Sequence, residues 1–298
     1  MNIEHRTSNI EHRTSNIEHR TIAVITSTIG RAELERAILS VQQQQYPCKH
    51  YVFVDGKQYF DKIQALEEKY PDVIFTYLPM NTGANGWTNS YINTIAPFLI
   101  KEDIICYLDD DNWYQPEHTQ VIANAFTQYE IDVAYTLRCF MTEQGEYICD
   151  DNSESLGFYH FEEFGCEITF NNYHRRIGLK VHRGFLVDTN CLAMTIQTAR
   201  ELAHYWTYSQ QNDAYVWQQC LQQKKSIMAT AQYTVNYVVN IKSYLLQIFY
   251  DDFEVQDHQK VEFFHKILKA WNQNVLDRPE TKGWHIPSLY IDGKLHML

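Results

Sequence analysis

Along this chain, short apolar runs alternate with stretches whose apolar residues recur at helical spacing. Ile22-Ala23-Val24-Ile25-Thr26-Ser27 reads as a buried strand; after the turn Thr28-Ile29-Gly30-Arg31, apolar residues at Leu34, Ala37, Ile38 and Val41 predict a helix over Ala32 to Gln45. The pattern continues with a strand at Tyr51 to Val54 ending in Asp55-Gly56, a helix over Phe60 to Tyr70, and a strand at Val73 to Leu78. A turn-rich stretch, Asn81-Thr82-Gly83-Ala84-Asn85-Gly86-Trp87, precedes a helix expected over Thr88 to Ile100. The apolar run Ile104 to Leu108 predicts the next strand, Pro116 to Tyr129 a helix, and Val133 to Phe140 another strand.

Further on the pattern blurs. Residues 141 to 180 hold scattered Gly and acidic residues and predict a hairpin-and-loop excursion. A strand is expected over Gly184 to Met194, helices over Thr198 to Trp206 and Gln211 to Gln222, and one or two helices within Ile241 to Val275. Strand and helix taking turns predict an α/β fold: a mostly parallel, Rossmann-like sheet flanked by helices, with functional groups at the carboxyl ends of its strands.

At the end of one such strand stand Asp109, Asp110 and Asp111. Adjacent carboxylates raise one another's pKa unless a cation neutralises them, and hard oxygen ligands suit Mg²⁺ or Mn²⁺ shared with a substrate's phosphates. A solvated acidic turn capping the next helix is the plain alternative. An EF-hand is excluded, because the sixth position from Asp109 is Tyr114 rather than Gly and the twelfth is Gln120 rather than Glu.

Composition narrows the classes. A chain of 298 residues that is 45% hydrophobic can bury a large core, while a net charge of −12 argues against nucleic acid as a partner, which needs clustered Lys and Arg. Seven cysteines without a CxxC pair predict a reducing, cytoplasmic setting. No apolar stretch reaches the roughly 20 residues of a membrane span, which leaves only peripheral attachment at the inner face of a membrane. Residues 1–21 repeat NIEHRTS in tandem with a single Ile in each repeat, too little apolar surface to pack, and are expected to be a disordered extension.

Five motifs in order now carry a resemblance: Thr26 to Arg31 after the opening strand, Val54-Asp55-Gly56, the Asn81-Thr82-Gly83 turn, the Asp109-Asp110-Asp111 triplet followed by Pro116, and an acidic residue far downstream. Together they resemble family-two, inverting glycosyltransferases of the GT-A fold over roughly residues 22 to 222. The resemblance implies a transferase domain over 22–240 with a helical C-terminal extension over 241–298. It implies that Thr28, Arg31, Asp55, Asn81, Gly83, Asp109 and Asp110 bind the nucleotide-sugar donor, with Asp55 accepting from the N3–H of a uracil. Asp111, with Asp109, would hold Mn²⁺ or Mg²⁺. If the strand's alternation persists, Asp109 and Asp111 face one side and Asp110 the other.

The family uses a carboxylate near the start of a later helix as general base, and Asp213 in Gln211-Asn212-Asp213-Ala214 is the candidate. The family's usual Glu-Asp pair is here Asn212-Asp213. A helix N-terminal charge is the plain reading of Asp213, and Glu162, Glu163 and Asp188 are rival bases. Asp188 and Asn190, expected within a strand, and Trp113 are candidates for the donor-sugar or acceptor pocket. His182-Arg183 either reaches the diphosphate or lies in a surface loop. The acceptor implied is a carbohydrate or lipid-linked hydroxyl, and a homo-oligomer is compatible with all of this. A sugar-1-phosphate nucleotidyltransferase and a non-catalytic nucleotide-sugar-binding protein are the alternatives; Thr28-Ile29-Gly30-Arg31 is too short and too poor in Gly for the phosphate loop of the former.

Overall fold

The computed structural model describes residues 20–159, 164–170, 173–179, 186–239, 257–276 and 283–298. The tandem repeat up to residue 19, Glu162, Glu163, His182 and Arg183 lie outside the described residues.

The first half follows the pattern of the sequence closely. Strand β1 (Ile22–Thr28), helix α1 (Leu34–Gln42), β2 (Cys48–Asp55), α2 (Phe60–Lys69), β3 (Ile74–Leu78), α3 (Ser90–Leu99) and β4 (Ile104–Tyr107) succeed one another. Then come the short β5 (Trp113–Tyr114), α4 (His118–Gln128), β6 (Val133–Met141) and β7 (Tyr147–Asp150). A separate hairpin of β8 (Phe164–Phe170) and β9 (Tyr173–Leu179) occupies the expected excursion. The chain returns through β10 (Leu192–Thr195), α5 (Ile196–Leu202), α6 (Asn212–Gln222) and β11 (Ile227–Val238).

β1, β2, β3 and β4 pair in parallel in the order β3-β2-β1-β4; β10 runs antiparallel between β4 and β6, and β6 pairs in parallel with β11. This is the mostly parallel central sheet that the strand–helix alternation predicts. The chain leaves β1 toward β2 on one side and comes back to β4 on the other. The carboxyl ends of β1 and β4 therefore sit side by side at a switch in strand order, where such sheets open a crevice.

Two apolar layers hold the sheet. On one face Leu34, Ile38, Val52, Val54 and Ile63 bring α1 and α2 onto β2; the larger core includes Tyr107, Tyr135, Trp206 and Trp217, all buried. Leu34, Ala37, Ile38 and Val41 line the buried side of α1, as their spacing requires.

Two corrections concern the second half. Among the described residues, the strand expected over Gly184 to Met194 begins only at Leu192: Thr189–Cys191 form a 3₁₀ turn and Leu192–Thr195 are the strand. The Asp188 side chain accepts from the Asn190 backbone N–H and caps that turn, a local bond that competes with a ladder. The C-terminal extension is not helical throughout. It holds α7 (Asp257–Leu276), then a hairpin of β12 (Ser288–Ile291) and β13 (Lys294–Met297) that extends the sheet beyond β11. The described helices include none long and apolar enough to cross a membrane.

Candidate active site

A cleft of about 470 Å³ opens at the switch point. Thr28, Arg31, Asp55, Asn81, Gly83, Asp109, Asp110, Asp111, Asp188 and Asp213 all line it. These residues come from six separate stretches of sequence, and the fold brings them together because each follows a strand or opens a helix on the same edge of the sheet. The volume suits a small organic ligand.

Asp55, at the end of β2, is buried and holds the next turn in place. It accepts from the Thr82 N–H at 2.7 Å, the Thr82 hydroxyl at 2.8 Å and the Gly83 N–H at 2.8 Å. Gly83 has no room for a side chain: a Cβ there would lie 2.1 Å from the Thr88 carbonyl oxygen and 3.1 Å from Asp55 Oδ2. The Asn81 side-chain oxygen in the same wall is buried and has no protein partner. Gly83→Ala is expected to push this turn off Asp55, at a stability cost of about 1–3 kcal/mol for an overpacked site and with weaker nucleotide binding. Thermal unfolding and a nucleotide titration check both.

The acidic triplet departs from the expected alternation. β4 ends at Tyr107, and the chain turns over Asp109 to Asn112, where the Asn112 N–H donates to the Asp109 carbonyl at 3.1 Å. Asp110 therefore does not point away. Its Oδ2 accepts from the Thr28 hydroxyl at 2.6 Å, and its Oδ1 lies 3.5 Å from Arg31 Nη1, which also pairs with Asp111. Asp109 faces the opposite wall: its Oδ1 accepts from Asn89 Nδ2 at 2.9 Å and its Oδ2 from Asn190 Nδ2 at 2.8 Å, while its N–H donates to Asn190 Oδ1 at 2.6 Å.

Burial and neighbouring charge both act on these carboxyls. Burial, with Asp111 and Asp188 adding to it, pushes the Asp109 carboxyl well above the usual range. Burial also raises Asp110, to about 6, although Arg31 and the Thr28 hydroxyl oppose the shift.

Trp113 does not line the cleft. It borders a second cavity behind the triplet, where the Arg36 guanidinium stacks 4.1 Å from its ring centroid. Arg36 Nη2 donates to the Asp111 carbonyl at 2.9 Å and Nη1 to the Glu143 carbonyl at 3.2 Å, so the pair braces the acidic turn from outside.

Asp188 and Thr189 form the far wall, and Asn190 is buried behind them and does not line the cleft. Asp188 Oδ1 accepts from Asn190 Nδ2 at 2.7 Å, and its Oδ2 from Arg138 Nη1 at 2.5 Å. Arg138 is buried with three carboxylates around it, the others being Asp151 at 2.7 Å and Glu154 at 2.9 Å. Burial works against its charge, and Asp188 and Asp151 more than offset this, holding its pKa well above the ordinary value.

Asp213 sits in the first turn of α6, where its Oδ1 accepts from the Ala214 N–H at 2.7 Å. Asn212, in the place of the family's usual Glu, is buried and ties α6 to α3: its Nδ2 donates to Asn89 Oδ1 and to the Ser90 hydroxyl, each at 2.9 Å. Asn212 and Asp109 thus share Asn89 as a partner, linking the helix of the candidate base to the acidic turn. Asn89, Arg138 and the bracing Arg36 were not singled out from sequence. None belongs to a local motif; each acts across more than 10 residues of chain. Cys48, Cys106, Cys139, Cys149, Cys191 and Cys220 are free and do not line the cleft, and burial raises Cys48 to about 12.

The glycosyl transferase family 2 model matches residues 23–180, just over half of the chain. No curated protein matches significantly. Among solved structures, S. aureus TarS 1-349 in complex with UDP is 11% identical over 89% of this chain and 74% of that one, with a TM-score of 0.50. TarS 1-349 in complex with UDP-GlcNAc is 12% identical over 89% of this chain and 78% of that one, also at 0.50. At such identities the likeness speaks for the fold, and the family match speaks for the chemistry. The chain belongs to glycosyl transferase family 2 and is a nucleotide-sugar-dependent glycosyltransferase with the GT-A fold.

Proposed function

We propose that the enzyme transfers a sugar from a UDP-sugar to an acceptor hydroxyl, with inversion at the anomeric carbon and with help from a divalent cation. The observation that carries this reading is the convergence of Asp55, the acidic triplet and Asp213 on one cleft in a family-two chain. A uridine donor is supported by the acceptor character of Asp55, which lines the cleft. The UDP and UDP-GlcNAc held by the TarS structures of similar fold agree with it.

The cleft residues fit a cation. Asp109, Asp110 and Asp111 gather around Arg31 on one side of the cleft, and burial, which raises Asp109 and Asp110, disfavours their charged forms until a cation joins them. No three His, Cys, Asp or Glu side chains among the described residues close on one metal-sized position. That suits Mg²⁺ or Mn²⁺, which is typically held by one or two carboxylates together with substrate phosphates and water. Asp111, with Asp109, would hold the ion, which when bound neutralises charge developing on the departing diphosphate.

In the reaction the acceptor oxygen forms a bond to the anomeric carbon as the bond from that carbon to the diphosphate oxygen breaks. Asp213 takes the hydroxyl proton, and UDP leaves with the bonding electron pair. Arg31 donates to the diphosphate from the side of the triplet. Asn89 and Asn190 fix Asp109, and Asn212 fixes the helix that presents Asp213.

UDP with Mn²⁺ is expected to raise the melting temperature; at a hundred times the dissociation constant, binding adds about 2.7 kcal/mol. Asp111→Asn should abolish the cation-dependent part and keep the rest. Equal stabilisation by UDP in EDTA removes the metal from the reading, and stabilisation by another nucleoside diphosphate in place of UDP removes the uridine.

A further inference from the structure

Helix α3 is apolar on the side that faces solvent. It buries Ile92, Ala96 and Pro97 on the sheet side, and its exposed positions are Tyr91, Ile95, Phe98 and Leu99, at 41, 37, 60 and 57% exposure. These stand at i, i+4, i+7 and i+8 and so share one outer face. A helix that covers a sheet normally turns polar residues outward, and one apolar all round is normally buried. At the N-terminal end of this face Trp87 packs edge-on against Tyr91, 5.7 Å between centroids. From Val73 through Ile100 the chain has no charged residue and no His, in a protein that is 21% charged.

We propose that this face of α3 seats the enzyme on a lipid surface, with Ile95, Phe98 and Leu99 among the acyl chains and Trp87 and Tyr91 at headgroup level. Three observations favour lipid over a second copy of the chain. The first is area: at about 200 Å² for a fully exposed large side chain, the four residues present about 400 Å², half of the about 800 Å² per partner of a stable protein pair. The second is polarity. A protein interface carries hydrogen bonds throughout, but the half-buried Thr94 hydroxyl on this helix donates to its own helix, to the Ser90 carbonyl at 2.9 Å. Hydrocarbon asks for no polar partner, only that the backbone be satisfied internally, as it is in a helix. The third is charge. Two copies at −12 each repel, whereas cationic side chains at the helix's C-terminal end match headgroup phosphates. Exposed Lys101 follows the helix, and Arg200 donates to the Pro97 carbonyl at 2.8 Å.

The placement also suits the chemistry, and here it rests on the proposed transfer. Asn89 immediately precedes α3 and donates to Asp109, so an enzyme lying on this face holds its cleft beside the surface, where a lipid-carried acceptor presents its hydroxyl.

Flotation of the full chain with phosphatidylcholine vesicles, with and without added anionic lipid, tests the assignment. The wild type should rise with the vesicles. Phe98→Ser/Leu99→Ser and, separately, Tyr91→Ser/Ile95→Ser should each lower the bound fraction at least tenfold, with unchanged melting temperature and unchanged donor hydrolysis for the former. A wild type that stays in the soluble fraction, or variants that float equally well, would overturn it. So would a lipid-free dimer that the variants dissociate, since that gives the face to a second copy. Flotation needs no turnover; loss of donor hydrolysis with flotation intact sinks the transfer reading alone.

Discussion

An Asp213→Asn enzyme is expected to bind UDP-sugar as the wild type does and to transfer it about 10² to 10⁴ times more slowly, the usual contribution of a positioned general base. The substitution is a clean one at this position. Asp213 Oδ1 accepts from the Ala214 N–H, and an amide oxygen can do the same, so this first-turn bond is kept while the ability to take a proton is lost. The proposed donor contacts lie elsewhere, at Asp55, Arg31 and the triplet, so nucleotide affinity should hold. The anchoring of α6 should hold too, because Asn212 bonds to Asn89 and Ser90 through its own side chain. Stopped assays of transfer and a nucleotide titration on the same variant separate the two quantities. The wild-type product should have inverted anomeric configuration, since single displacement by a deprotonated hydroxyl reverses that centre. Near wild-type transfer by the variant, or a retained configuration, would return Asp213 to the role of a helix-start charge and direct attention to Glu162, Glu163 and Asp188.

The parts of this protein legible in its sequence are those fixed by short-range periodicity. β1 to β4 and the helices between them follow from runs of Ile, Val and Phe and from helically spaced apolar residues. The switch point follows in turn, because strand–helix alternation leaves few topologies. The ends of elements were less legible. The strand stops at Tyr107, so its alternation does not reach the triplet, and Asp110 lines the cleft instead of facing away from it. Asp188 to Cys191 reads as apolar strand, yet one carboxylate bonding to an N–H two residues on makes it a turn. The β12–β13 hairpin leaves no periodic trace in the sequence, because a pair of four-residue strands has too few positions to show a period. β11, at the heart of the sheet beside β6, went unassigned although Ile227 to Val238 is rich in β-branched and aromatic residues.

Long-range partners were the least legible. Asn89 sits before an apolar helix, and nothing around it in sequence hints that it joins Asp109 to Asn212. Trp113, a reasonable sugar platform by residue type, is occupied by Arg36. Arg138 lies inside a fully buried strand, β6, where a charged residue is rare unless paired, and that is the one sequence-level signal it gave.

Replacing Arg138 is expected to produce the largest loss of stability. Its guanidinium donates to Asp151, Glu154 and Asp188, all buried, and lies 4.0 Å from the centroid of the Tyr237 ring that lines the cleft. Arg138→Met keeps much of the volume and removes the charge, leaving three carboxylates in a dry site. Breaking a buried pair in this way costs about 3–5 kcal/mol, a large fraction of the about 5–15 kcal/mol by which domains are stable. The urea midpoint should fall by that energy divided by the slope of the transition, the slope itself staying unchanged. The loss should reach the active site, because Asp188 orients Asn190, and Asn190 supplies two of the bonds that hold Asp109. Nucleotide binding should weaken with stability. Arg138→Lys keeps one charge but cannot serve three carboxylates in a fixed fork, so its midpoint should lie between. The charge argument has a direct check. If the cost comes from unpaired carboxylates, adding Asp188→Asn to Arg138→Met should recover part of it, a coupling that contacting residues show and that a pure packing defect would not. A double variant less stable than Arg138→Met alone would mean that Asp188 caps its turn independently of Arg138, and the cluster would then be held by Asp151 and its backbone donors at Ser153 and Glu154.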